Sequence, residues 1–315
     1  MAEFVATTRD PRVAAIHRRF DVPSRVAVCG RVGVGRSTVA AALATAGVRV
    51  VADGPADLSV VVVAECLKPE DTALLRRGPA VIVWNKADLA GVGPGGPLAV
   101  AARQAAEVGA ATGCAAVPMV ALLATVTWDE SLLAALRVLA EHPADMTSVD
   151  AFVAGEHPLD AEVRARLLAG LDRFGLAHAV LAVADGTPGA VVADRLRDLS
   201  GVRAAADAVH AATAPARYRS VCAALRELRL VAAGGGDPRL EEFLSGDAVV
   251  LAVMASAVDV VEGAGLRVDR GDDTAAHLRR AVHWERYARG PVDALYASCG
   301  AAIRRGSLRL LASAP

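Results

Sequence analysis

The sequence predicts an α/β domain built on a parallel sheet flanked by helices, followed by an all-α helical domain. Three observations carry this. Short runs of valine and other apolar residues recur at 25–29, 48–52, 58–64, 79–84 and 115–121, each followed by a helix-compatible stretch. Continuous apolar runs of this length are what strands buried on both faces of a parallel sheet look like. The first run opens into a glycine-rich turn, Gly30 to Gly35, a strand-to-helix joint typical of α/β units. Beyond about residue 150 the turn punctuation thins and the pattern turns helical.

In order, strand 25–29 leads to the glycine turn and an alanine-rich helix ending near Gly47. Strand 48–52 precedes Asp53-Gly54-Pro55-Ala56, and strand 58–64 is nearly all valine. Helices are expected at 68–77, 98–112 and 129–141, with a glycine- and proline-rich loop at 91–97. Residues 143–152 lose apolar periodicity and mark the boundary between a domain 1–145 and a helical domain 146–315. Residues 159–174 read as a helix, and 175–185 fit a strand or a buried helix equally. Further helices follow at 190–199, 202–214, 217–233, 238–244, 248–262, 273–289 and 291–311. Pro215 splits one pair and the glycines of 234–238 form a loop. Residues 248–261 are apolar around most of a helical circumference, which predicts a central buried helix.

Composition narrows the class. Net charge is −1 over 315 residues, so no global field draws the chain to nucleic acid. Five scattered cysteines, Cys29, Cys66, Cys114, Cys222 and Cys299, lack metal-ligand spacing and read as free thiols of a reducing compartment. The first twelve residues carry charges and no apolar core, so no signal peptide is expected, and no clean run of about 20 apolar residues predicts a membrane span. The C-terminal arginines, with Trp284, Tyr287 and Tyr296 among them, predict a solvated charged face with aromatics turned inward.

Two motifs carry chemistry. Residues 26–41, VAVCGRVGVGRSTVAA, match G-x-x-x-x-G-K-[ST] with Arg36 in the lysine position. Gly30, Arg31, Val32, Gly33, Val34, Gly35, Arg36, Ser37 and Thr38 form the expected phosphate cradle. Glycines let successive N–H groups curl around a phosphate, and the helix N-terminus adds partial positive charge. Ser37 offers a hydroxyl to Mg²⁺. Asn85-Lys86-Ala87-Asp88 follows an apolar strand. The Asp88 carboxylate can accept from the ring N–H and exocyclic amine of guanine together, which adenine cannot supply. The Lys86 stem can lie along the base, and Asn85 can brace the loops.

Together these motifs resemble the G domain of P-loop GTPases over about residues 23–142. The resemblance implies GTP or GDP as ligand, with Mg²⁺ held by Ser37 and Asp53, and a small residue, Ala121, beside the base. Four departures accompany it. Arg36 replaces lysine, which is not a conservative change. The D-x-x-G candidate, Asp53-Gly54-Pro55-Ala56, lacks its final glycine. About fifteen residues separate Ser37 from Asp53, leaving no room for a first switch loop. The base-contacting S-A-[KL] reads Val120-Ala121-Leu122. The losses fall on the terminal-phosphate side, so slow or absent intrinsic hydrolysis is expected.

A second resemblance covers about residues 171–230. Leu171, Phe174, Gly175, Ser200, Gly201, Val202 and Arg219 stand where some bacterial dynamin-like GTPases carry an L-x-x-[FY]-G-[LV] run, an S-G-[IV] helix start and an arginine helix. It implies a reduced member acting as regulatory or scaffolding companion of a dynamin-like GTPase, through a protein partner or self-association. It also implies a cytoplasmic place with peripheral contact at the inner membrane face. Two alternatives stand beside it. One is an active GTPase completed by dimerisation or a partner, with Arg31 or a partner residue supplying charge. The other is an interaction protein that no longer binds nucleotide.

Overall fold

A computed structural model describes residues 10–20, 23–235 and 238–313. Contact density groups them into two compact units. One is Arg25–Val209; the other joins the described residues of Met1–Ser24 with those of His210–Pro315.

The Arg25–Val209 unit holds five parallel strands: β1 (Val26–Gly30), β2 (Val50–Val51), β3 (Leu58–Val63), β4 (Ala80–Asn85) and β5 (Ala115–Met119). Their spatial order is β2-β1-β3-β4-β5. Chain direction across the sheet reverses between β1 and β3. In open α/β sheets, ligands favour the carboxyl ends of the strands at that reversal. Seven helices among the described residues accompany the sheet in this unit, numbered in chain order. They are α2 (Arg36–Thr45), α3 (Pro69–Leu75), α4 (Gly96–Thr112), α5 (Glu130–Glu141), α6 (Val149–Ala154), α7 (Ala161–Ala184) and α8 (Gly189–Leu199). Single 3₁₀ turns lie at Ala87–Leu89 and Ala121–Ala124.

The valines of β3 and β4 are fully buried, as two-sided burial requires. One apolar core runs from Val61, Val63, Ile82 and Trp84 through Leu136 to Leu167, Leu171, Leu176 and Leu196. Helices past residue 145 therefore complete the sheet's own core. The compositional break at 143–152 does not coincide with the division by contacts, and inside it α6 starts, capped by the Ser148 hydroxyl accepting from the Ala151 N–H. Arg164 of α7 is buried and donates to the carbonyls of Phe152 and Gly155, a cation placed where a helix end is negative.

Of residues 159–185, expected as a helix plus an undecided segment, 161–184 form α7, two helical stretches that meet at a kink. It contains one break, Asp172, at φ 54° and ψ 176°. By length and composition, one helix among the described residues, α7, is long and apolar enough to cross a membrane; Pro238–Ser245 and Asp247–Gly263 meet that test only if the pair, bent by 45°, is counted as one span. The sequence reading expects no membrane span at either place. Leu167, Leu171, Leu176 and Ala179 of α7 are core residues of this unit.

The other unit comprises α1 (Pro11–Phe20), most of α9 (Val202–Gly235), α10 (Pro238–Ser245), α11 (Asp247–Gly263), α12 (Thr274–Ala288) and α13 (Ala294–Ser313). Pro215 does not split α9. Ala214, Tyr218, Val221, Leu225 and Leu228 are buried along it, and that burial outweighs the roughly 3 kcal/mol a helix-interior proline costs. Residues 236 and 237 of the expected glycine loop lie outside the described residues, while Gly234 and Gly235 end α9. α11 is half-buried rather than central: Val249, Ala257, Val258, Val260 and Val261 face inward, while Ala248, Ala252, Ala255 and Asp259 are exposed. Alanines on the outer face make the sequence look more buried than the helix is.

The aromatics of the C-terminal region turn inward as expected, with Trp284 fully buried. Several arginines are paired: Arg289 and Arg304 with Glu285, and Arg309 with Asp247. Arg280 is different. It is buried, and its guanidinium donates to Ser307 Oγ, to the carbonyls of Asp269 and Gly271, and to His277 Nδ1.

Candidate functional site

The glycine turn leaves β1 at the carboxyl edge of the sheet. Gly30 has φ +150°, and a Cβ there would sit 2.5 Å from the Val62 carbonyl of β3, so only glycine fits. Gly33 and Gly35 have φ +87° and +89°, the left-handed region that glycine adopts without penalty. Val34 is buried and anchors the turn, whereas Val32 is 90% exposed at its tip.

α2 begins directly after Gly35. It has no side-chain cap and no acidic residue in its first turn, so its opening N–H groups lack an intrahelical partner. Arg36 occupies the first helical position, where a cation opposes the helix dipole. Arg36 and Ser37 are exposed, and Thr38 is half-buried.

An open cavity of about 740 Å³ lies against this turn, lined by Gly33, Gly35, Arg36, Ser37, residues 50–52 and Lys86. Arg36 and Lys86 are its only charged lining residues. Neither is held in an ion pair among the described residues. Asp53, the expected metal ligand, is exposed in the bend just after that lining.

Asn85 stitches the edge together. It is 4% exposed. Its Nδ2 donates to the Val34 carbonyl at 2.9 Å, and its Oδ1 accepts from the Ala121 N–H at 3.1 Å. One side chain at the end of β4 thus ties the glycine turn to the segment after β5, the bracing role the sequence suggests. It also brings Ala121, itself buried, into the same cluster. A Cβ on Gly35 would lie 2.5 Å from Asn85 Nδ2.

Lys86 adopts φ 59° and its side chain is exposed. Ala87 is buried and Asp88 half-buried. Burial pushes the Asp88 carboxyl above its ordinary proton affinity; the nearby Asp172 carboxylate adds to this, opposed by Asp88's own N–H and by Lys86. Sequence reasoning misses Asp172. The sequence reading ends a helix at residue 174 and opens a new segment at 175, but it does not single out Asp172, whose break sits beside Asp88.

Arg31 departs from its expected place. Its backbone stays in the turn, but its side chain is not part of the cavity lining. Its Nε donates to Asp71 Oδ1 and Oδ2 at 3.2 and 3.0 Å, and its Nη2 to the Cys66 carbonyl at 3.3 Å. Asp71 is fully buried, and its Oδ2 also accepts from the Lys68 N–H. Sequence reading does not single out Asp71, since an acidic residue in a helix's first turn is ordinary.

Among the described residues, no three His, Cys, Asp or Glu side chains converge as a metal site. Comparison of the chain with protein-family models, with curated proteins and with solved structures finds no match.

Proposed function

We propose that the Arg25–Val209 unit binds a guanine nucleotide through a P-loop and hydrolyses it slowly or not at all. One observation carries this: a cavity set against a left-handed glycine turn and an uncapped helix start, whose only charged lining side chains are the cations Arg36 and Lys86. Backbone N–H groups at a helix N-terminus and unpaired cations are complementary to phosphate oxygens. Ser37 lines the same cavity and would hold Mg²⁺, which on binding would neutralise charge between phosphates.

Asp88 supports guanine as the base. It is a half-buried carboxylate two residues past Lys86, in the 3₁₀ turn that follows the strand end Asn85 fastens to the phosphate turn. Slow hydrolysis is supported by Arg31 being committed to Asp71. A mechanism in which Arg31 stabilises transferring phosphate must first break that pair. Asp53 stands exposed, and Ala56 occupies the position of the phosphate-sensing glycine.

Calorimetric titration of the purified chain with GDP, GTP and ATP, with and without Mg²⁺, tests this. GDP and GTP are expected to bind comparably. ATP is expected about 100-fold or more weaker, since Asp88 loses two charge-assisted hydrogen bonds. Absence of heat with both guanine nucleotides refutes the proposal, as does rapid Mg²⁺-dependent turnover without a partner.

A further inference from the structure

The glycine turn is pinned at its exit by Asn85, through Val34. Its entry is pinned differently. Arg31, the first residue past β1, reaches across to α3, where the fully buried Asp71 carboxylate receives its Nε at 3.0 and 3.2 Å. Asp71 also accepts the Lys68 N–H, and Arg31 donates to the Cys66 carbonyl. One carboxylate therefore joins three segments: the turn after β1, the turn after β3, and the start of α3.

We propose that Asp71 is a positioning residue for the phosphate site. Through Arg31 it holds the first turn of residues 30–35 in its anion-receptive shape before ligand arrives. This deepens the nucleotide-binding assignment above and rests on it. The physical case is preorganisation: a loop fixed at both shoulders has less freedom to lose on binding. Only the tip is left unfastened, where Val32 is exposed. Asp71 also cancels the Arg31 charge, so attraction for phosphate falls to Arg36 and Lys86.

Charge and positioning predict opposite signs for one substitution. Asp71→Asn keeps the side chain's shape, removes a negative charge near the turn and leaves Arg31 uncompensated. On electrostatics alone it tightens anion binding. If Asp71 positions the turn, it weakens it.

The experiment titrates the full chain, as wild type, D71N and R31K, with GDP and with guanosine, after circular dichroism has established folding. D71N is expected to weaken GDP by about tenfold or more, the scale of lost preorganisation, and to leave guanosine unchanged. R31K keeps the charge but loses the forked geometry, and is expected to weaken GDP alone by a smaller factor. Folded D71N that binds GDP as well as wild type, or better, overturns the proposal. A D71N that also loses guanosine in proportion overturns it too, since a merely structural role would do that. If D71N does not fold, R31K decides: unchanged GDP affinity overturns the role of Asp71, and selective loss of GDP supports it. If wild type itself binds no GDP, the nucleotide assignment falls, and the role of Asp71 with it. Wild-type binding with unchanged variants strikes only the latter.

Discussion

Asn85→Ala removes a side chain that is 4% exposed and makes one hydrogen bond in each direction. It leaves the Val34 carbonyl and the Ala121 N–H without their partner, both on buried residues. An unsatisfied buried backbone group costs about 1–3 kcal/mol. Val34 lies between Gly33 and Gly35, which line an open cavity; a water reaching its carbonyl from there would bring its share to the lower part of that range. The sum is about 2–4 kcal/mol, or roughly 5–12 °C in midpoint for a unit of this size. Asn85→Asp separates the two bonds. Its carboxylate can still accept from Ala121 but faces the Val34 carbonyl with no proton, so at neutral pH it should destabilise at least as much. Urea unfolding, followed by hydrogen exchange of β1 and β4 amides, reports this unit alone. An N85A loss below about 1 kcal/mol, or N85D as stable as wild type, would refute the stitching role.

The remaining predictions are local. Gly35→Ala should cost more than Gly33→Ala: both force a left-handed alanine, about 1–2 kcal/mol, but only at position 35 does the new Cβ meet Asn85 Nδ2. Equal losses by thermal denaturation would contradict the contact. Asp88 has its proton affinity raised in the folded state, so its ionised form weakens the fold above that raised value, and the penalty lifts as pH falls through it towards the unfolded value. D88N should therefore be at least as stable as wild type at pH 7, with wild type gaining relative to it on acidification. GDP affinity in D88N should drop about 100-fold or more, from two charge-assisted bonds lost; a D88N that is less stable at pH 7, or retains GDP, fails the prediction. Cys66 is exposed, whereas Cys299 is buried with its thiol pushed up to about 12 by burial and then by the neighbouring Cys222. A thiol reagent at neutral pH should modify Cys66 quickly and reach Cys299 only on unfolding; native labelling of Cys299 at the Cys66 rate would contradict its burial.

The sheet was legible because β3 is nearly all buried valine and β4 is a short unbroken apolar run, the pattern of strands buried on both faces. β2 shrank to Val50–Val51 because only two residues pair with β1. The glycine turn and Asn85 were legible because their chemistry is local: positive φ at Gly33 and Gly35, and one amide with a donor and an acceptor. Arg31 was not, since its partner lies forty residues on and nothing in sequence tells a buried Asp71 from a solvated one. The helical half was harder for a general reason. Pro215 and the break at Asp172 are decided by which flanking faces find a core; at Pro215 the local pattern points the other way, and near Asp172 it puts the boundary a few residues late. Arg164 and Arg280 look like surface charge, yet both are buried and each donates to two backbone carbonyls.

Val13 and Ile16 of α1 share a buried cluster with Val221, Leu225, Leu228, Leu240 and Leu244. The helical unit is thus interrupted in sequence, with the whole of Arg25–Val209 inserted between its first helix and the rest. During synthesis α1 leaves the ribosome some two hundred residues ahead of the surface it packs on. The inserted sheet unit can close on its own strands in the meantime, since domains generally fold as units. Order of emergence and order of assembly therefore differ, and the apolar pair of α1 must stay soluble until residues 221–249 arrive.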